Sequence, residues 1–292
     1  MAPTSTPPQS ASSLLAIDPA EFQRNFGLRA FGIKHHLTDH PLFAIERLLE
    51  LARYLPVDRV EYNAGDVPMS LDPGQTPQTG LSPEETIRRI AECRSWLVLK
   101  NIERHPDYER LLHQCLTEVE ALGHPDTRQI GLREAFVFIS SPDAITPYHI
   151  DPEWNFLLQI RGIKYMHVYP VDDFTLLSDL ELEAFYGGGH RNLQFKEEYR
   201  DRERRFELHP GDGVHVPVTA PHWVQNGPEV SISFSITFQT RKSERRSVVY
   251  RVNQALRKRG WKPTRFGVSS WRDTLKYQVY RAGRKVGLWG QE

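Results

Sequence analysis

The sequence predicts an α+β protein with a mainly β core, a sandwich or barrel of short strands with helical elements before it and a basic helical region after it. Three observations carry this. From Glu134 onward, five short apolar or alternating runs are separated by Gly, Pro and Asp turns. The front half instead shows helix starts and stops, and after Thr240 the composition becomes basic and mixed. At 292 residues, 39% hydrophobic and 11% aromatic, the chain can bury a full core.

Residues 1–13 are Ser/Thr/Pro/Ala-rich without apolar periodicity, so disorder is expected there. Pro41 and the apolar pattern Phe43, Ile45, Leu48, Leu49, Leu51, Ala52 predict a helix of about three turns. Asn63 to Gly80, rich in Pro and Gly, reads as a loop. Ser82-Pro83-Glu84-Glu85 joins an N-cap, a proline at the first helical position and a glutamate three residues on, a capping box that opens a helix to about Cys93. Trp96–Leu99 is of strand type, and Pro106–Ala121, stopped by Gly123, is a second long helix. The strands then run Ala135–Ile139, Asn155–Ile160, Tyr165–Tyr169, Val214–Val216 and Ser231–Phe238, and Ser247–Arg259 is a helix capped by Gly260. No internal repeat is present.

Two cysteines, Cys93 and Cys115, lie in no CxxC spacing, so neither a disulfide framework nor a thiolate zinc site is suggested. No stretch approaches about 18 consecutive apolar residues, and Met1 to Ser13 lacks the order of a signal peptide, so a cytoplasmic chain away from membranes is expected. The net charge of zero conceals a division. From Gln239 to Glu292 there are 15 Lys/Arg against 3 Asp/Glu, leaving 22 against 34 elsewhere. Clustered cations with Trp261, Phe266 and Trp271 could serve nucleic acid, but no nucleic-acid motif is present, and contact between the tail and the acidic body is the simpler expectation.

The chemistry concentrates in His149-Ile150-Asp151 and in Ala-Pro-His222-Trp. On a strand, residues two apart share a face, so His149 and Asp151 can bind one ion while Ile150 packs behind, with Glu153 and Asn155 continuing that face. The turn Pro210-Gly211-Asp212-Gly213, the strand after it and Pro217 bring His222 back as a third ligand. Two imidazoles and one carboxylate on one side of a metal leave about three positions open, the arrangement of non-haem Fe(II) oxygenases. Taken alone, the same three residues also suit an ordinary polar surface.

A diacid cosubstrate such as 2-oxoglutarate needs a cation within reach of the metal. Lys164, after the tight turn Gln159-Ile-Arg-Gly162-Ile that should fold its strand beside the HxD strand, is the candidate, and Thr146 can add a hydroxyl. In the last strand Ile232, Phe234, Ile236 and Phe238 alternate with Ser231, Ser233, Ser235 and Thr237. The small polar face suits either a cavity wall, with Ser235 as a contact, or a face in water. His35, His36 and His40 read as loop residues rather than a second metal site, and His167 and His215 as packing histidines.

Jointly, Thr146-x-x-His149-x-Asp151-x-x-x-Asn155, Gly162-x-Lys164-x-x-x-x-Tyr169-Pro170 and Pro210-Gly211-Asp212 through Pro217 to His222 resemble the jumonji-type (JmjC-like, cupin-8) Fe(II)/2-oxoglutarate oxygenases, particularly their small hydroxylase branch. The resemblance covers roughly residues 134–240. It implies a double-stranded β-helix (cupin, jelly-roll) core at 131–240 and a C-terminal region at 241–292 of a kind that often forms a dimer interface, while the α-rich segment at 14–130, read from its own helix signals and outside the resemblance, is expected to pack on the core. It also implies that His149, Asp151 and His222 hold iron, that Lys164 and Thr146 hold the far carboxylate of 2-oxoglutarate, and that Asn155 lies near it. The expected activity is an O2-consuming hydroxylation of a protein side chain, amino acid or small molecule, with release of succinate and CO2. A metal cupin without 2-oxoglutarate and a non-catalytic binding module of the same fold are the alternatives, against which Lys164 and the complete ligand set argue.

Overall fold

Strand β12 (Ser231–Thr240) shows how the sequence builds the core. Its Ile232, Phe234, Ile236 and Phe238 enter the main apolar cluster, and Ser231, Ser233, Ser235 and Thr237 on the opposite face are buried as well. A strand buried on both faces is a central one, covered on each side by another layer.

The computed structural model describes residues 13–71, 80–285 and 287. In chain order the front half gives β1 (Leu15–Ala16), α1 (Pro19–Asn25), β2 (Phe31–His35), α2 (Ile45–Tyr54), β3 (Val60–Ala64), α3 (Pro83–Arg88), β4 (Ser95–Lys100) and α4 (Pro106–Ala121). The core continues with β5 (Ile130–Ser140), β6 (Ile145–His149), β7 (Trp154–Arg161), β8 (Lys164–Val168), α5 (Asp179–Tyr186), β9 (Arg204–Leu208), β10 (Asp212–Val216) and β11 (His222–Asn226). After β12 come α6 (Arg241–Arg257) and α7 (Ser270–Lys285).

Two antiparallel sheets result. The larger has the order β1-β2-β10-β7-β12-β5-β4-β3, the smaller β6-β11-β8-β9. Leu157, Val214 and Val216 from the first pack with Met166, Val168, Leu208 and Val224 from the second, so the sheets face each other across one apolar interior. The outer face of the large sheet is covered by α2 and α4 through Leu48, Leu51, Leu112 and Leu116, in the same cluster as the apolar face of β12. This is the sandwich expected from the strand pattern, in the jelly-roll form that the resemblance implies.

Several expectations need correction. The front segment, read as α-rich, also supplies four strands to the large sheet, because runs as short as Phe31–His35 and Val60–Ala64 gain their stability from distant partners rather than local pattern. Asn63 therefore lies within a strand that ends at Ala64 and does not open a loop, and residues 72–79 of that loop lie outside the described residues. The Ser82 capping box is present, but its helix ends at Arg88 and finishes in turns stabilised by Cys93 N–H donating to Arg89 O at 3.0 Å. Of the start expected to be disordered, only Ser13 is described, and its hydroxyl lies within hydrogen-bond distance of two acceptors, Leu15 O at 2.7 Å and the Glu118 carboxylate at 2.8 Å. Helix α6 starts six residues earlier than the apolar pattern suggests, because Thr240 caps it directly at the end of β12.

The turn at Gly162 also differs. It does not place β8 beside the HxD strand. β7 and β8 belong to opposite sheets, and β11 separates β8 from β6. The chain crosses between layers in a bend only glycine accepts: φ is +70°, and a Cβ there would meet Val230 O at 2.4 Å.

The C-terminal helices are fastened to the core through α5. Glu183, buried, accepts from Arg257 Nε at 2.6 Å and Nη2 at 2.8 Å. Glu183→Ala should destabilise the protein by about 2 kcal/mol, read as a lower denaturant midpoint, because it leaves a half-buried guanidinium without its partner. An unchanged midpoint would show that the pair does not fasten these helices. Among the described residues no helix is long and apolar enough to cross a membrane.

Candidate metal centre

His149 and His222 are placed by one strand pair. The last residue of β6 lies directly opposite the first of β11, and directly paired side chains project to the same side. The pairing then shifts, with Val224 opposite Thr146, so β6 carries one extra residue. This bulge brings Thr146 onto the His149 face although the two are three apart in sequence. Tyr148 and Ile150 project the other way, into a second apolar cluster with Tyr169 and Leu182.

Asp151 is not on the strand, as the two-residue spacing suggested, but two residues past its end. Its position is held by the loop before β11, where Thr219 N–H donates to Asp151 O at 2.8 Å. The carboxylate still faces both rings. Asp151 Oδ2 is 3.6 Å from His149 Nε2 and 3.5 Å from His222 Nε2, and the ring centroids are 4.1 Å apart. An ion about 2.1 Å from two ligands at right angles holds them about 3 Å apart, so the three atoms are spaced for one shared ion. Among the described residues this is the one group of three or more His, Cys, Asp or Glu so placed.

The surroundings prepare the donors. His149 Nδ1 donates to Pro147 O at 2.7 Å and His222 Nδ1 to Ala220 O at 2.9 Å, which leaves both Nε2 lone pairs for a metal. Burial, with the nearby His149, pushes the His222 imidazole down to about 4, so it is neutral as a ligand must be. Burial alone would raise the Asp151 carboxyl, but Arg191 together with the two histidines holds it well below the usual carboxylate range. Arg191 Nη1 donates to Asp151 Oδ1 at 2.9 Å, leaving Oδ2 for the ion. Burial and the neighbouring Asp151 push the Glu153 carboxyl up to about 8. Sequence reasoning missed Arg191, which reaches the site from 40 residues away through a segment that pairs with the edge of β6, Ile150 N–H donating to Arg191 O.

The remaining candidates line the interior between the sheets. Lys164 pairs with Asn226, Met166 with Val224 and Val168 with His222, which puts Lys164 on the ligands' face. It lies opposite Asn226, four residues along β11 from His222 and about 14 Å at strand rise, a gap that a lysine side chain and a five-carbon diacid together could span. Lys164 is 4% exposed, its Nζ sits 5.7 Å from the Phe138 ring centroid, and burial alone pushes the ammonium down to about 7. No carboxylate of the described residues pairs with it, and Thr146 Oγ1 likewise makes no hydrogen bond among them. A buried cation without a counter-ion is costly, and a diacid would supply the missing charge.

On the facing sheet Ser235 Oγ donates to Asn155 Oδ1 at 2.8 Å, which orients that amide. The rest of the β12 polar face is used internally: Ser233 Oγ donates to Gln159 Oε1 at 2.7 Å, and Gln159 Nε2 donates to Ser231 Oγ at 3.0 Å. The face is therefore interior and not in water.

The other histidines have structural work. His215 is buried on the outer face against Phe26 and Phe156, pushed down to about 3 by desolvation. His167 stacks on Trp223 at 3.8 Å and bonds Glu203 at 2.7 Å. His35 bonds Gln159 O, and His40 caps a 3₁₀ turn at Pro41–Phe43.

No family model matches the chain. It is 28% identical over 134 residues to lysine-specific demethylase 8 of Xenopus tropicalis, covering 42% of this chain and 28% of that protein. It is also 27% identical over 146 residues to the Danio rerio protein of that name, covering 48% and 32%. The chain thus spans about a third or less of the length of these curated relatives. Among solved structures, Escherichia coli YcfD superposes with a TM-score of 0.53 at 16% identity, over 92% of this chain and 68% of that one. The complex of YcfD, described as a ribosomal oxygenase, with cobalt and 2-oxoglutarate gives 0.53 at 15% identity, over 92% and 67%. With its two facing antiparallel sheets and one His-Asp-His cluster at the end of the smaller, the chain has the fold of the JmjC-like, cupin-type oxygenases.

Proposed function

We propose that the chain is an Fe(II)- and 2-oxoglutarate-dependent dioxygenase that hydroxylates a C–H bond. The observation that carries the reading is the pairing of a complete His149-Asp151-His222 ligand set with an unpaired, buried Lys164 on the same interior face. Iron and 2-oxoglutarate, when bound, supply the activation of O2, with succinate and CO2 as the co-products.

In this reading the protein's own groups bind, orient and exclude water. His149 and His222 present neutral Nε2 donors fixed by Pro147 and Ala220, and Asp151 offers Oδ2 while Arg191 occupies Oδ1. The diacid's far carboxylate takes a charge-assisted hydrogen bond from Lys164 and one from the Thr146 hydroxyl. Asn155, held by Ser235, turns its amide donors toward the same interior. The apolar lining of Met166, Val168, Val216 and Val224 keeps bulk water from these groups.

The substrate in this proposal is a protein side chain, an amino acid or a small molecule, approaching between residues 14–130 and the 131–240 core. Residues 241–292 form a separate C-terminal region. Trp271, Leu275 and Val279, exposed at helical spacing on α7, support a homodimer through it. Half-buried Cys93 and buried Cys115, both free thiols, agree with a cytoplasmic setting.

Purified protein with Fe(II), ascorbate and 2-oxoglutarate should form succinate slowly without added substrate, measured by chromatography. Absence of both 2-oxoglutarate binding and succinate would count against the reading and favour a metal cupin of other chemistry.

A further inference from the structure

Two sets stand out among the cations of the C-terminal region. Lys242, Arg257 and Arg265 pair with Asp126, Glu183 and Asp179 of the body, as the charge division suggested. Arg241, Arg281, Arg284 and Lys285 have no carboxylate partner among the described residues, and with Arg245 they line a groove of about 870 Å3 between α6 and α7. Arg241 and Arg245 stand one turn apart on α6, and Arg281, Arg284 and Lys285 share a face of α7. The acid in the lining is Glu244, which already accepts from the Tyr277 hydroxyl at 3.1 Å. Like charges gathered on two facing helices repel, and among the described residues Glu244 is the one carboxylate in the groove to offset them.

A second observation points to a ligand. Tyr186, 5% exposed, is among the residues lining the same groove, and its hydroxyl, like the Arg245 Nε, is buried without a hydrogen-bond partner. Buried donors left unmet are rare and costly, and two in one charged groove call for an acceptor from outside. The groove reaches Pro152, the residue after Asp151, but none of its cations belongs to the metal centre.

We propose that this groove binds a ligand carrying two or more phosphate groups. Guanidinium forks match phosphate oxygens two at a time, and each phosphate brings more charge and more acceptors in a small volume than a carboxylate. The groove is of the size of small-molecule sites. The chemistry is shared by a free nucleoside polyphosphate and by consecutive phosphodiesters of a single strand. The site does not depend on the metal-centre reading.

The test titrates the full chain with inorganic tripolyphosphate, ATP, a short single-stranded RNA and a glutamate peptide of matched charge, by calorimetry at about 50 and 200 mM salt. At least one phosphate probe should bind, more weakly at the higher salt. The double variant Arg281→Glu/Arg284→Glu, on exposed positions, should lose at least about tenfold with an unchanged circular dichroism spectrum. Tyr186→Phe should lose about fivefold. Preference for RNA assigns the site to a single strand, and preference for ATP assigns it to a free nucleotide; each supports the proposal. It is overturned if no phosphate probe binds, if the folded double variant binds as the parent does, or if the glutamate peptide binds as tightly as the phosphates.

Discussion

Asp151→Ala is expected to reduce metal affinity by more than about 100-fold and turnover to background, with the fold retained. Loss of an outer partner of a metal ligand already costs about 10- to 100-fold, and Asp151 is the one carboxylate between the two imidazoles. Folding should survive because the backbone contact from Thr219 is untouched and the side chain lies at the edge of the site, outside the apolar clusters. Fe(II) or Mn(II) titration followed by calorimetry, with thermal melts as a control, checks this. Metal affinity equal to the parent's would remove Asp151 from the centre.

Lys164→Met is expected to separate binding from stability. Truncating one partner of a buried charged contact costs about 2–5 kcal/mol, or about 30-fold or more in affinity, so 2-oxoglutarate should bind far more weakly. The free protein should be no less stable, because a lone ammonium is replaced by an apolar chain of similar length. Proton uptake gives a further readout. Burial pushes Lys164 down to about 7, so at pH 8 much of the free protein carries a neutral amine, and a bound dianion favours the ammonium. Binding at pH 8 should therefore take up a proton, binding at pH 6 should take up much less, and the variant should take up none at either pH. Calorimetry in buffers of different ionisation heat measures it. Parent-like affinity in Lys164→Met would place the diacid elsewhere.

What could be read from the sequence follows from where the chemistry is local. Long alternating runs such as Ser231–Phe238 specify a strand and its two faces by themselves, and helix α4 is marked by Pro106 at one end and Gly123 at the other. The candidate triad His149, Asp151 and His222, which the structure brings together, could be singled out because the resemblance added Thr146, Asn155 and Lys164 to a pattern that alone was ambiguous. Arg191 was not legible, since nothing near it in sequence signals that it lies on Asp151. The bulge that turns Thr146 toward His149 is a property of the β6–β11 pairing and leaves no trace in β6 itself. Crossing of the chain between sheets at Gly162 is equally non-local: the glycine announces a tight bend, while the identity of the next strand's neighbours depends on β11, some 60 residues later. Whether the serines of β12 faced water or interior depended on the second sheet, which the alternation cannot reveal.

The most direct measurement is an anaerobic crystal structure with Mn(II) and 2-oxoglutarate. The account predicts one ion about 2.0–2.2 Å from His149 Nε2, Asp151 Oδ2 and His222 Nε2, chelated by the diacid, with the far carboxylate on Lys164 Nζ and the Thr146 hydroxyl. An ion bound by other residues, or a diacid whose far carboxylate leaves Lys164 unpaired, would contradict it.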